Sequence, residues 1–446
     1  MASALKIPQL RRMIAAYAVN RLGTWVGVVA LMVATYDRTH SALAVSAVLV
    51  AAQALPAFAV PPLIARVEAS ERRGELSGLY FFEALATAAL AALVSHFWLP
   101  AVVLLVALDG TAARAANALL RTQIARTARE HAIELDEPSP PPAAGREEPA
   151  DSGEPAQSRA DSAERAANAA LNMAFSFTFV LGPVLGGIVV AAAGAPDALL
   201  IDVGSFLICG ALLFQLRPHV EEAAGSTVRE RLRTAWGTIK GTPTLRGLLL
   251  AEAVAFVFFE AGAPIEIAYA KSTLAAGDRG FGLLLTAWGV GTVLGSVVFG
   301  RSLRRPLGYL LSGGTLCVGL AYIGFAAAPS LAVAGVAALV GGLGNGMELP
   351  SLFSIVQRIA PKELHGQMMG AVESLGALCP VIGLPLGGLL VALGSPRSAF
   401  LVVGAGTAVT AVVLMRLTQP ARGAHAVEPA VPASRAADGA ERPTAR

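Results

Sequence analysis

Ionisable side chains stand inside several long apolar stretches of this sequence, and they are the residues that could do chemistry. At the centre of a membrane an ionised side chain costs roughly 2.5–3.5 kcal/mol on insertion scales, so each one is a functional candidate. The residues are Arg21, Glu83, Asp109, Arg114, Asp202, Glu252, Glu260, Glu348 and Glu373. Burial favours the neutral form of a carboxyl group, whereas a nearby arginine favours the charged form. A carboxyl group that meets an arginine in only one conformation can therefore take up and release a proton.

The elements that carry these residues are predicted to be membrane-spanning helices. Hydrophobic residues make up 55% of the 446 residues, charged residues make up 15%, and the mean hydropathy is +0.61. A bilayer core needs about 20 apolar residues per helix. Twelve stretches have that length, at 13–36, 41–65, 76–96, 99–120, 168–193, 197–216, 245–268, 280–300, 306–327, 330–350, 367–392 and 397–416. The sequence therefore predicts an all-α polytopic membrane protein.

The distribution of Lys and Arg predicts the orientation of these spans. Of the 34 basic residues, only Arg38, Lys271, Arg279 and Arg397 fall in loops on one side, and Arg21 and Arg114 fall within spans. Basic residues collect in cytoplasmic loops. We therefore expect both the N-terminus and the C-terminus to be cytoplasmic, in a multi-pass protein of the plasma (inner) membrane.

Other segments lack the composition of a span. Residues 127–165 and 418–446 have almost no large apolar side chain, so they are predicted to be a disordered cytoplasmic insertion and a disordered cytoplasmic tail. Residues 218–244 are predicted to be a cytoplasmic linker with an amphipathic helix over 227–240. The remaining ranges, 1–126 with 166–217 and 245–417, are predicted to form two membrane-embedded halves.

An internal repeat relates these two halves. The stretch VLGPVLGGIVVAAAGAP, residues 180–196, matches VIGLPLGGLLVALGSP, residues 381–396. Gly182, Gly186 and Gly187 pair with Gly383, Gly387 and Gly388, while the counterpart of Pro183 moves to Pro385. Small residues let membrane helices approach closely. The repeat predicts two parallel six-helix units, with the glycines and prolines forming a matched pair of patches for helix packing and conformational change.

Several motifs resemble the major facilitator superfamily, in the branch with macrolide-efflux-like and siderophore-exporter-like proteins. They are RLGTWVGVVALMVATYDRTHSALAVSAVLVAAQALP, ANAALNMAFSFTFVLGPVLGGI and QRIAPKELHGQMMG. The G-P-x-x-G-G pattern of Gly182–Gly187 is similar to the motif associated with drug–proton antiporters in that superfamily. The loop after the second span, PPLIARVEASERRGEL, departs from the family signature, because it keeps Arg72 and Arg73 but has no matching aspartate.

The resemblance implies that the first, fourth, seventh and tenth spans line a central cavity. The implied proton-coupling or substrate residues are Asp109, Arg21, Arg114, Glu252 and Glu260, with Asp109 first. Glu83, Glu348 and Glu373 lie nearer the ends of their spans, where a carboxylate more often caps a helix or pairs with a loop arginine. The aromatic residues that could stack on a substrate are Trp25, Phe256, Phe259 and Trp288, although packing is the more common role of such residues.

The function expected from these features is secondary active transport, as proton-coupled efflux of small amphipathic compounds. Uptake or facilitated diffusion of a metabolite stays open because of the altered loop, and so does a non-transporting membrane sensor or scaffold. No phosphate-binding G-x-x-x-x-G-K-[ST] motif occurs, and the three cysteines have no metal-site spacing. We therefore expect no enzyme activity, no metal, no cofactor and no nucleic acid. The expected partners are a lipid bilayer, a small molecule and protons, and the chain is expected to be a monomer.

Overall fold

The computed structural model describes residues 7–53, 63, 74–130, 156–214, 242–302, 305–359 and 365–418. Regular secondary structure in these ranges is helical. The helices are α1 (Pro8–Thr39), α2 (Ala42–Gln53), α3 (Glu75–Leu93), α4 (Leu99–Glu130), α5 (Ala156–Ala193), α6 (Ala195–Leu213), α7 (Pro243–Ala268), α8 (Gly277–Arg301), α9 (Leu307–Ala327), α10 (Leu331–Ile359), α11 (His365–Leu393) and α12 (Pro396–Thr418). The chain continues from α7 into a π-helical turn, Tyr269–Thr273.

Nine of the helices in the described ranges are long and apolar enough to cross a membrane. They are α1, α3, α4, α6, α7 with its π-helical turn, α8, α9, α10 and α12. The described apolar parts of α2, α5 and α11 are shorter. The chain is thus a multi-pass membrane protein, while the count of twelve spans and the cytoplasmic location of both termini remain predictions.

Both ends of the segment predicted to be disordered are helical, so that prediction was wrong for 127–130 and 156–165. Helix α4 runs on to Glu130, and α5 already begins at Ala156. Arg129 pairs with Glu164 at 2.6 Å, and Arg126 pairs with Glu130 one turn further along α4. Contacts between the two helices and within a helix thus extend them beyond the apolar stretches. The rest of the insertion, the linker helix at 227–240 and residues 419–446 lie outside the described residues.

Helix packing repeats between the two halves. In the first half α1 packs against α5 and α6, and α3 packs against α4 and α6. In the second half α7 packs against α11 and α12, and α9 packs against α10 and α12. Each pair in the first half thus has its counterpart six helices later, which is the arrangement that a duplicated six-helix unit would produce.

The two halves meet at the end of the bundle where the odd-numbered helices finish and the even-numbered helices begin. There, one cluster of buried apolar side chains contains residues of both halves, such as Val33 and Leu199 of the first half and Phe281 and Phe400 of the second half. At the opposite end the buried side chains form separate clusters, one within each half. The bundle is therefore closed at one end, which we call the closed end.

Candidate functional site

The glycine patch on α5 forms part of the closed end. A β-carbon on Gly187 would lie 2.6 Å from the Cα of Gly282 on α8, so only glycine allows the two backbones to touch. One turn earlier, Gly182 packs against the side chain of Trp25 on α1. The patch therefore faces two ways, with Gly187 toward the other half and Gly182 toward α1. Helix α5 is continuous through Pro183.

The matching patch on α11 makes the equivalent contacts. A β-carbon on Gly388 would lie 2.9 Å from the Cα of Leu43 on α2, across the interface between the halves. Beside it, the Ser46 hydroxyl donates a hydrogen bond to the carbonyl of Leu384 at 2.7 Å. Gly383 and Gly387 face the backbone of α7, and α11 runs on through Pro385. The sequence repeat thus corresponds to a repeated contact in three dimensions.

An ion pair also joins the halves at the closed end. Lys271, in the π-helical turn after α7, contacts the carboxylate of Asp37 near the end of α1 and that of Asp278 at the start of α8. The side chain of Lys271 is only 10% exposed, whereas that of Asp37 is 47% exposed. Sequence analysis placed Lys271 in a loop and could not pair it, because its partners come from two other helices.

Asp109 lies between α4 and α3, and no arginine among the described residues forms an ion pair with it. Its Oδ1 accepts a long hydrogen bond of 3.5 Å from Thr87 Oγ1. Arg114, five residues further along α4, points elsewhere and donates from Nη2 to Gln53 Oε1 at 3.3 Å. The five-residue spacing predicts that the two side chains diverge, and they do.

Arg21 belongs to a cluster of positive charge that sequence analysis recognised only in part. Its guanidinium group lies over the ring of Phe175 on α5, 5.5 Å from the centroid, as a cation–π contact. It also interacts electrostatically with Arg114 and with Arg121. Arg121 lies just beyond the predicted end of the fourth span, and this is why it was missed. It donates to Tyr17 Oη at 3.2 Å.

The carboxyl groups of the second half lie on α7 and α10. Glu252 on α7 is fully buried and interacts electrostatically with Glu348 on α10. Neither of its oxygens has a hydrogen-bond partner within the described ranges. Glu260 is part-buried, and its β-carbon would lie 2.8 Å from a β-carbon on Gly383. The two α7 carboxyl groups therefore differ, because Glu260 is open at one side whereas Glu252 is enclosed by protein.

Glu83 contradicts the expectation that it caps a helix or pairs with a loop arginine. It is fully buried in the middle of α3, and neither carboxyl oxygen has a hydrogen-bond partner among the described residues. It interacts electrostatically with Asp109 and with Asp202 on α6. The predicted role was wrong because α3 packs with this face against α6, so Glu83 reaches no loop. The side chain of Glu373 lies outside the described residues.

The aromatic candidates separate into two groups. Phe259 and Trp288 lie 6.1 Å apart between ring centroids, and Trp288 stacks on Tyr322 of α9 at 6.0 Å. Tyr322, which was not predicted, donates from its hydroxyl to the carbonyl of Phe259 at 3.2 Å. Trp25 instead packs on Gly182, and Phe256 packs against the apolar cluster of the second half. Phe259 and Trp288 also pack against the apolar cluster of the closed end, so what sets them apart is their contact with each other across α7 and α8.

The arrangement of helices is shared with solved transporters. The fold superposes on the crystal structure of the nucleoside transporter NupG with a TM-score of 0.66 and 11% identity, covering 93% of this chain and all of that one. A bacterial homologue of the iron transporter ferroportin, in an inward-facing state, gives 0.63 and 16% identity over 92% of this chain and 99% of that one. Residues 253–441 match the family model of the Major Facilitator Superfamily. The second half of the chain is therefore similar to this superfamily.

Curated members of the superfamily are similar over part of their length. The MFS-type transporter YfiS of Bacillus subtilis is 30% identical over 243 residues, which is 50% of this chain and 57% of YfiS. The multidrug efflux pump Tap of Mycolicibacterium fortuitum is 27% identical over 273 residues, which is 57% of this chain and 64% of Tap. The match thus spans less than two thirds of either relative. A protein named as a multidrug efflux pump is therefore among the relatives of this chain.

Proposed function

We propose that the protein is a proton-coupled exporter of small amphipathic compounds that works by alternating access. In this mechanism the two six-helix halves rock about a site near the middle of the membrane, so that the site opens to one side at a time. Asp109 on α4 takes up a proton in one conformation and releases it in the other. Arg21 and Arg114 provide the positive charge that it approaches when it is ionised.

The observation that carries this proposal is the environment of Asp109. It is a half-buried carboxyl group whose one described hydrogen bond, from Thr87, measures 3.5 Å, and no described ion pair joins it to Arg21 or Arg114. Burial without a cation favours the neutral carboxyl group, and approach of an arginine favours the carboxylate. A movement that changes the distance from Asp109 to the arginines would therefore change its proton occupancy.

The closed end supports the alternating part of the proposal. All the described contacts named above between the halves, at Gly187, Ser46, Gly388 and Lys271, lie at that end. With cytoplasmic termini, which remain a prediction, the closed end faces the outside and the conformation is open toward the cytoplasm. An exporter would load its substrate in this conformation.

Efflux is favoured over uptake by the relative Tap, which is named a multidrug efflux pump. Phe259 and Trp288 offer ring faces, and Glu260 offers a negative charge on the same helix as Phe259. Such a lining suits a compound with an apolar body and a polar or cationic group. Amphipathic dyes are therefore suitable first probes.

The direct test is ethidium accumulation in cells that express the wild-type protein or carry an empty vector. Cells with the exporter should hold less ethidium than control cells, and an uncoupler should remove the difference. Equal accumulation across a panel of dyes and antibiotics would contradict efflux. A higher content in expressing cells would indicate uptake.

A further inference from the structure

Buried polar side chains without partners collect where α1, α3 and α6 pack together. Asn20 of α1 is 1% exposed, and neither polar atom of its side-chain amide has a hydrogen-bond partner in the part of the chain that the structure describes. Glu83 of α3 is 0% exposed, and neither of its carboxyl oxygens has a hydrogen-bond partner there. A buried polar group without a hydrogen bond is costly in a protein interior and needs an explanation.

The side chain of Asp202, on α6, also lies in this α1–α3–α6 region, where it fits against two glycines of α1. A β-carbon on Gly23 would lie 2.6 Å from Asp202 Oδ1, and one on Gly27 would lie 3.1 Å from the Asp202 carboxyl carbon. The two glycines are four residues apart on α1. The space left by their missing side chains is filled by the Asp202 carboxyl group and not by the backbone of another helix. Asp202 is 4% exposed and accepts a hydrogen bond of 3.1 Å from Ser205 Oγ.

The register of α1 on α6 brings Asn20 to this group. Cys209 Sγ of α6 contacts the carbonyl of Ala16 at 3.2 Å, and Gly23 meets Ser205 and Asp202 one to two turns earlier along α6. Asn20 lies on the face of α1 shared by Ala16 and Gly23, between these two contacts. Its amide therefore points into the seam between α1 and α6.

Glu83 completes the group from α3. It interacts electrostatically with Asp202 and with Asp109, and α3 packs closely on α6, where a β-carbon on Gly210 would touch the ring of Phe81. No described ion pair gives either Glu83 or Asp202 a cationic partner, and two ionised carboxylates in a dry seam would repel each other. Within the described residues, no group of three His, Cys, Asp or Glu side chains is placed to hold a metal ion.

We propose that Glu83 and Asp202, with the Asn20 amide beside them, form a proton-binding site between α1, α3 and α6. Both carboxyl groups of this site interact electrostatically with Asp109. Its part in coupling rests on the proposed function, as a second place where the protein holds a proton during the cycle. The binding of the proton itself does not depend on transport.

Titratable side chains from the neighbouring helices surround the site. Tyr80 of α3, Asp109 of α4 and Cys209 of α6 interact electrostatically with its carboxyl groups, and Tyr17 of α1 interacts with Tyr80. Tyr80 and Cys209 stay neutral near neutral pH unless strongly perturbed. Asp109 is the neighbour that carries a carboxyl group, so the site variants are also measured in a protein that carries Asp109→Asn.

The test is the melting temperature of the purified full-length protein in detergent, measured from about pH 5 to about pH 9 in choline chloride. A proton that only the folded state holds in this pH range stabilises at low pH, so the melting temperature should fall as the pH rises. Glu83→Gln and Asp202→Asn mimic the protonated form. Each should reduce this fall relative to the wild type, also in an Asp109→Asn background, while the buried carboxyl group of Glu252 keeps its own contribution.

Asp197→Asn is the matched control, because Asp197 is an exposed carboxylate in the first turn of the same helix, α6. It should keep the wild-type pH profile. If one of the two site variants is not produced as folded protein in the cells, the other is enough for the test. A profile that is flat in the wild type, or unchanged in the site variants, overturns the proposal. A stabilisation by Na⁺ in place of choline that the site variants abolish would also overturn it, in favour of a sodium site.

This titration and the transport assays can fail separately. If the site titrates as described but ethidium flux ignores the proton gradient, the proposed function is wrong and the proton site stands. If ethidium flux depends on the proton gradient but both site variants keep the wild-type pH profile, the proton site is wrong and the proposed function stands.

Discussion

Lys271 and Asp37 form an ion pair that joins the two halves of the protein at its closed end. Lys271 keeps a second partner, Asp278, within its own half at 2.5 Å. Opening this end would therefore remove only the contact with Asp37, while Lys271 would remain paired. Such an arrangement makes the closed state favourable and leaves no buried charge unpaired when the halves separate, because Lys271 keeps Asp278 and Asp37 is 47% exposed.

The first prediction concerns this ion pair. Lys271→Gln should shift the protein toward the conformation that is open at this end, by up to about fivefold, because a partly exposed ion pair contributes up to about 1 kcal/mol. The shift can be measured as faster maleimide labelling of a Ser46→Cys reporter at the α2–α11 contact. Arg279→Gln in the same background is the control, since Arg279 is exposed and forms no described ion pair. Equal labelling rates in the two variants would exclude a role for the pair in closure.

The second prediction concerns the contact between Gly187 and Gly282. Gly187→Ala would place a β-carbon 2.6 Å from the backbone of α8, so the closed end cannot form as tightly and transport should fall at least tenfold. Gly204→Ala is the control, because a β-carbon there meets no atom within 4 Å. Ethidium efflux per inserted protein gives the comparison. If both variants transport equally well, the patch on α5 is not part of the conformational change.

The third prediction concerns Gly27 and Asp202. Gly27→Ala should lower the free energy of unfolding by roughly 1–3 kcal/mol, because the new methyl group overlaps the Asp202 carboxyl group. In an Asp202→Ala background the same change should cost much less. The melting temperatures of the four proteins give the coupling between the two positions. Additive effects would show that Gly27 does not make room for Asp202.

The fourth prediction concerns the aromatic lining. Trp288→Ala should reduce ethidium efflux several-fold, whereas Trp288→Phe should retain most of it, since stacking needs a ring face more than an indole. Trp98→Phe serves as the control, because Trp98 is 64% exposed at the start of α4. The informative measurement is the concentration of ethidium that gives half-maximal efflux. A Trp288→Ala protein with the wild-type value would assign Trp288 to packing alone.

Features that follow from local pattern could be predicted from this sequence, and features that depend on distant partners could not. The repeat identified Gly187 and Gly388 as equivalent, and both touch the opposite half. Gly23 and Gly27 were not among the predicted residues, because their partner, Asp202, lies about 175 residues further along the chain. For the same reason, the partners of Lys271 could not be found from sequence alone.

Element ends were the other source of error. A span length of about 20 residues, set by membrane thickness, ended the fourth helix before Arg121. The described helix continues to Glu130, where Arg126 and Glu130 form an ion pair within its last turn. Arg121 was therefore left out of the candidate site although it interacts electrostatically with Arg21.

The most direct test of the account is proton movement driven by a substrate gradient in proteoliposomes. With the wild-type protein, an ethidium gradient should drive protons in the opposite direction, as a dye inside the vesicles that senses pH would report. Asp109→Asn should insert normally and lose this proton movement, whereas Asp197→Asn should retain it. Ethidium flux that is unaffected by a pH gradient or an uncoupler, or full proton coupling in Asp109→Asn, would contradict the central claim.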